Sequence, residues 1–154
     1  VLDISATPGT TPATALGIAV LSSSRAVLVA PIDRSYGDLM ISLLDISGTS
    51  ATLVRNKIIS VGSNGTVDAD AIKIDSNTVY ATWTGGGSLG SDAIVIRITS
   101  DDKIVVYPVA DQIEPSVSAS PGYLAADALD SAHVVQLCRN ASTYLSAKVV
   151  EIAA

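Results

Sequence analysis

Ser76-Asn77-Thr78-Val79-Tyr80-Ala81-Thr82 runs from a small polar turn into an apolar, β-branched strand. Two other stretches have the same form. They are Ser24-Arg25-Ala26-Val27-Leu28-Val29-Ala30 and Ser131-Ala132-His133-Val134-Val135-Gln136-Leu137. The three begin 52 and 55 residues apart. Such recurrence is the mark of a repeated supersecondary unit.

The correspondence extends outward in both directions. Upstream of each lies another apolar run, Leu16 to Leu21, Ala69 to Ile74 and Leu124 to Leu129. Downstream come a polar turn and a further strand, Leu39 to Ile46, Ala93 to Ile98 and Tyr144 to Ile152. In the first two copies a tight turn then leads to a fourth strand, Ala51 to Arg55 and Lys103 to Tyr107. Each unit therefore reads as four short strands, with approximate bounds 14–66, 67–121 and 122–154. The third copy reaches Ile152 without a fourth strand. Val1-Leu2-Asp3-Ile4-Ser5 echoes Leu43-Leu44-Asp45-Ile46-Ser47, so residues 1–5 are expected to complete the last sheet, from this chain or a neighbour.

Composition agrees with strands. Val (17), Ile (15) and Thr (12) dominate, while Gln and Glu together number four. β-Branched side chains lose rotamer freedom in helices and suit a pleated surface. The fold class is all-β: three four-stranded units of propeller-like kind, with a β-trefoil or a β-sandwich/jelly roll as alternatives. Against the trefoil stand the long units and the lack of a recurring Q-x-W. The chain is taken as a single all-β domain or a fragment of a larger protein. Its opening at Val1, with Met40 the only methionine, suits a processed or partial polypeptide. A chain of 154 residues buries roughly 68–70% of its unfolded surface and needs no disulfide or metal.

The second copy carries a family likeness. Asp75-Ser76-Asn77-Thr78-Val79-Tyr80-Ala81-Thr82-Trp83 resembles the strand entry of sialidase-type β-propeller blades. Ile96-Arg97-Ile98-Thr99-Ser100-Asp101-Asp102-Lys103 resembles the strand and turn of the Asp-box, S-x-D-x-G-x-T-W. The box glycine and tryptophan are missing. The resemblance implies a propeller fold and carries no catalytic residue across. Three blades do not close a propeller, whose members have four to eight.

The net charge is −6, which disfavours nucleic acid. No run reaches the ~18 apolar residues of a spanning helix, and aromatics at 4% are too few for the girdles of a membrane barrel, so no membrane insertion is expected. Cys138 is alone, which excludes an intrachain disulfide and a cysteine zinc cluster. Asn64-Gly65-Thr66 and Asn140-Ala141-Ser142 fit the glycosylation pattern, a short pattern of little weight.

The chemistry-bearing residues each have a plainer role. His133, the sole histidine, stands near Asp130 and Ser131, yet neighbours on one turn do not converge as a hydrolase triad must. His133 and Cys138 have odd spacing, which puts them on opposite faces of a strand. Asp68, Asp70 and Asp75, like Asp101 and Asp102, are read as turn residues ahead of calcium ligands. Thr84-Gly85-Gly86-Gly87-Ser88-Leu89-Gly90 lacks the lysine of a phosphate loop and is expected to be a hairpin loop. The five arginines and two glutamates lie scattered and form no sialidase constellation.

No enzyme activity and no cofactor or metal is expected. The leading expectation is a structural or interaction module, extracellular or of a virion, such as a capsid decoration protein or fibre, that assembles with other protein chains as an oligomer. The alternative is a carbohydrate-binding or glycan-cleaving propeller fragment, with Trp83 and Tyr80 as candidate ligand contacts. Val27, Val29, Val79, Ala81, Val95, Val105, Val134 and Leu137 are expected to be buried.

Overall fold

The computed structural model describes residues 16–33, 37–61, 66–85, 91–109, 124–139 and 145–152. Asn64, Asn140, residues 86–90 and Val1–Ser5, with the strand expected there, lie outside the described residues.

Every element among the described residues is a strand. The first antiparallel sheet contains β1 (Gly17–Ser22), β2 (Arg25–Asp33), β3 (Asp38–Ser47) and β4 (Ser50–Ser60) in chain order. The second contains β5 (Thr66–Lys73), β6 (Thr78–Gly85), β7 (Ser91–Ile98) and β8 (Ile104–Pro108), again in chain order. The third has three strands, β9 (Leu124–Ala128), β10 (His133–Arg139) and β11 (Leu145–Glu151), with β10 in the middle. The all-β expectation holds. Each strand follows an apolar run identified above, and the breaks fall at Ser, Asp, Asn and Gly, which supply turn geometry. At Ser47-Gly48-Thr49-Ser50, for example, Gly48 takes φ +58°, a conformation without steric cost only for glycine.

One hydrogen bond recurs in all three sheets. The amide of Ile46 donates to the Ser24 carbonyl at 2.7 Å, that of Ile98 to Asn77 at 2.8 Å and that of Ile152 to Ala132 at 2.7 Å. Each isoleucine closes the third strand of its sheet onto the residue just before the second. This places Ser24 opposite Asn77 and Ala132, one residue off its sequence alignment with Ser76 and Ser131. The first copy is thus shifted by one residue. A one-residue slip moves every side chain to the other face of its sheet.

The sheets stack face on face. Ala19, Val27, Val29, Ile41 and Leu43 of the first pack against Ala69, Ala71, Val79, Ala81, Ile94, Ile96 and Ile98 of the second. The opposite face of the second sheet, with Tyr80, Ala93 and Val95, packs against Val134, Val150 and Ile152 of the third. We call the face toward the following sheet forward and the other rear. Because of the slip, Val27 points forward and Val79 points back, so both enter the first core. The first strands lie side by side, β1 against β5 and β5 against β9. Backbone approach is tight at Gly17, where an added Cβ would lie within 2.8 Å of the Asp70 Cα and closer still to the Ala71 nitrogen.

Polar ties cross both seams. Arg25 binds Asp45 of its own sheet at 3.2 Å and Asp102 of the second at 2.6 Å. Lys73 donates to the Leu21 carbonyl at 2.7 Å. Asp70 accepts from the Ala126 amide at 3.0 Å, joining the second sheet to the third.

Of the residues expected inside, Val27, Val29, Val79, Ala81, Val95 and Val134 are buried. Val105 and Leu137 are corrections, since both are only partly buried. Val105 pairs with Arg97 on the outermost strand of the second sheet, away from the first core. Leu137 is on the forward face of the third sheet, beyond which no described sheet follows.

Candidate functional site

Trp83 and Tyr80 are both in β6 and point to opposite faces. Trp83 is 5% exposed and enters the first core, facing the first sheet. Tyr80 is fully buried in the second core, where its hydroxyl donates to Gln136 Oε1 at 2.8 Å. Burial pushes the phenol pKa well above its ordinary value, with the nearby Asp92 charge adding to it. The structure does not bring the two rings together, and neither offers an open face on which a sugar could stack.

His133 opens β10. Its Nδ1 is 2.9 Å from Asp130, whose Oδ1 also accepts the Ala132 and His133 amides at 2.7 and 2.8 Å. Those amides and the imidazole lower the Asp130 pKa. Asp130 is the acceptor of a side-chain turn that starts the strand. Ser131 is exposed and makes no hydrogen bond with a described residue, so the three do not act as a relay. Cys138 pairs in the ladder with Leu124 and Ser146.

Asp68 and Asp70, read from the sequence as turn residues, lie instead within β5, where Asp70 reaches the third sheet; the acids of the other turns behave as expected. Asp75 accepts the Asn77 amide at 2.7 Å. Asp101 binds Lys103 at 2.6 Å and the Thr99 hydroxyl at 2.5 Å. Asp102, at φ 61°, holds Arg25. Among the described residues, no three His, Cys, Asp or Glu side chains converge as a metal site would require. The glycine-rich stretch links β6 to β7, which pair antiparallel as far as Thr84 and Ser91.

What the linear reading missed is a surface. Pairing places Val135 opposite Val149 and Leu137 opposite Ala147 on the forward face of the third sheet. At the same places in the other sheets, Val27 pairs with Leu43 and Tyr80 with Val95, and all four are buried. Here Val149 is 57% exposed, Ala125 and Ala147 are exposed, and Val135 and Leu137 are half-buried. Exposed Asp127 pairs with Val135 on this face and Glu151 lies at its end, so the apolar group has an acidic border; exposed apolar surface is a mark of interaction sites. At the other end of the stack, the rear face of the first sheet is buried at its centre and open along its edge strands. There Ile18 is 55%, Val20 56% and Ile58 56% exposed. In the linear sequence the signal that separates Val149 from Val95 is slight: Lys148 stands in β11 where β7 has Ile94.

No protein-family model, curated protein or solved structure matches the chain.

Proposed function

We propose that the protein is a non-catalytic structural and interaction module, of the virion or cell-surface kind, whose sheets are propeller-type blades that assemble with those of neighbouring chains. The observation that carries this is the open forward face of the third sheet, set against the buried equivalents in the other two. The occupant is a second copy of this chain, presenting the open edge strands of its first sheet with Ile18, Val20 and Ile58, since the centre of that sheet's rear face is already buried within the chain. Such a head-to-tail contact closes into a ring when the rotation allows and otherwise extends as a fibre. Two copies would make a ring of six blades, within the range of propellers.

Sedimentation of the full chain tests this reading. The wild type is expected to run as two or more copies of the 15.7 kDa chain. Val149→Asp is expected to run as a folded monomer with an unchanged strand-type circular dichroism spectrum. A wild type that stays monomeric at high micromolar concentration, or an assembly unaffected by Val149→Asp, overturns it.

A further inference from the structure

We propose that the cleft between β4 and β8 binds a phosphate or sulfate group. The cleft has a volume of about 290 Å³ and is lined by Arg55, Asn56, Lys57, Lys103, Ile104 and Val105. It opens at the outer rim of the first seam. Three of the nine lysines and arginines of a chain with net charge −6 converge there.

Their placement is unusual for the seam they border. Arg55 and Lys57 pair with Leu43 and Ile41, two fully buried residues of the first core. The forward row of the first sheet is therefore apolar at its centre and cationic at its end. All three cations are exposed at this rim, so their charges stay solvated and open to a ligand.

Counter-charge falls short. Asp101 is bound to Lys103 at 2.6 Å, and Asp102 is taken by Arg25 at 2.6 Å. Arg55 is near enough to contribute to the lowered pKa of Asp101, after Lys103 and Thr99. Among the described residues, neither Arg55 nor Lys57 has a carboxylate at ion-pair distance. Lys57 donates to the Ile104 carbonyl at 3.3 Å, which tethers its ammonium at the cleft and leaves two protons to give. With Arg25 shared between Asp45 and Asp102, the four cations Arg25, Arg55, Lys57 and Lys103 face three carboxylates and leave an excess of one positive charge. That excess favours an anion, and the planar Arg55 fork can take two oxygens of a tetrahedral one. The volume lies near the lower end of ligand sites, roughly 300 Å³, so the body attached to the anion is small, on the scale of one sugar ring. Buried Ile104, whose side chain faces the first core, is the apolar part of the lining.

The test is a nuclear magnetic resonance titration of the full chain with inorganic phosphate, galactose 6-sulfate and galactose. Saturable shifts of the Lys103, Ile104 and Val105 amides are expected with either anion and not with galactose. Arg55→Gln and Lys57→Gln should each weaken binding by about tenfold, and Lys148→Gln on β11 should leave it unchanged. Equal affinity for the two anions identifies the tetrahedral group alone as the ligand. Tighter binding of the sulfated sugar identifies an acidic saccharide. No saturable shift, or shifts that survive the Arg55→Gln/Lys57→Gln double variant, overturns the site and leaves these cations as struts between the two sheets. Oligomeric state is measured separately, so failure here does not bear on assembly.

Discussion

Tyr80 donates its hydroxyl proton to Gln136 across the seam between the second and third sheets, and both side chains are fully buried. The pair satisfies the phenol and one end of the amide. Gln136 Nε2 has no partner among the described residues. A buried donor left unpaired is costly, whereas removing both partners of a buried hydrogen bond is nearly neutral.

The first prediction follows from that asymmetry. Tyr80→Phe should cost about 1–3 kcal/mol, because it orphans Gln136 Oε1. Tyr80→Phe with Gln136→Leu should recover most of the loss. Urea unfolding of the two single variants and the double checks this, and a double variant no more stable than Tyr80→Phe would refute it.

Gly17 and Asp70 occupy matching places on β1 and β5 and join their neighbours by different means. Gly17 lets the β5 backbone come close, while Asp70 reaches out to the Ala126 amide. Gly17→Ala should therefore separate the first two sheets, since the groups it meets are backbone atoms that cannot swing aside. A loss of about 1–3 kcal/mol is expected, of the size seen for overpacked cores. An unchanged melting temperature would show that the strands shift at little cost.

Val79 and Val105 were both expected inside, and the structure separates them. Val79→Asp places a carboxylate in the first core and should leave the chain unfolded, because burial of an unpaired charge costs several kcal/mol. Val105→Asp faces partly open solvent and should yield a folded protein. Circular dichroism and solubility of the two variants distinguish them.

Acid should loosen the turns. At Asp75 burial raises the pKa, but the amide of Asn77 and the hydroxyl and amide of Thr78 outweigh it, and the net shift is downward. Asp101 is lowered by Lys103 and then Thr99, and Asp130 by the Ala132 amide and then His133. A carboxyl whose folded pKa lies below its unfolded value stabilises the fold above the unfolded pKa, and that contribution is lost as pH falls through the folded value. Melting temperature should stay nearly flat from pH 7 to about 5 and fall below about pH 4. Asp130→Asn should remove part of the acid-induced fall. A melting temperature independent of pH down to about 2 would contradict these shifts.

β11 is an outer strand of the third sheet, in the place where the other two sheets add a fourth strand. The strand-like run Val1 to Ser5 has the length and residue types to pair there. Hydrogen exchange at the Leu2 and Ile4 amides should then be slow, and deletion of residues 1–5 should lower stability or break the assembly. Fast exchange, with deletion harmless, would dismiss the pairing.

All eleven described strands were legible in the sequence, as were the turns that separate them, because alternation and turn chemistry are local properties. The side-chain turn at Asp130 and His133 was legible for the same reason. Which face each strand presents was not. Val27 and Val79 align in sequence, yet they point in opposite senses, because the register of β2 is shifted by one residue relative to β6. That shift is set by pairing between strands, and the period of a strand hides it. Trp83 and Tyr80 look alike as candidate contacts in the chain, and only the stacking of three sheets encloses both. The cationic cleft joins Arg55 and Lys57 of β4 to Lys103, which lies in the turn before β8 of the other sheet and is distant in sequence. No local pattern brings such residues together; they meet because two apolar faces exclude water and their outer strands end side by side.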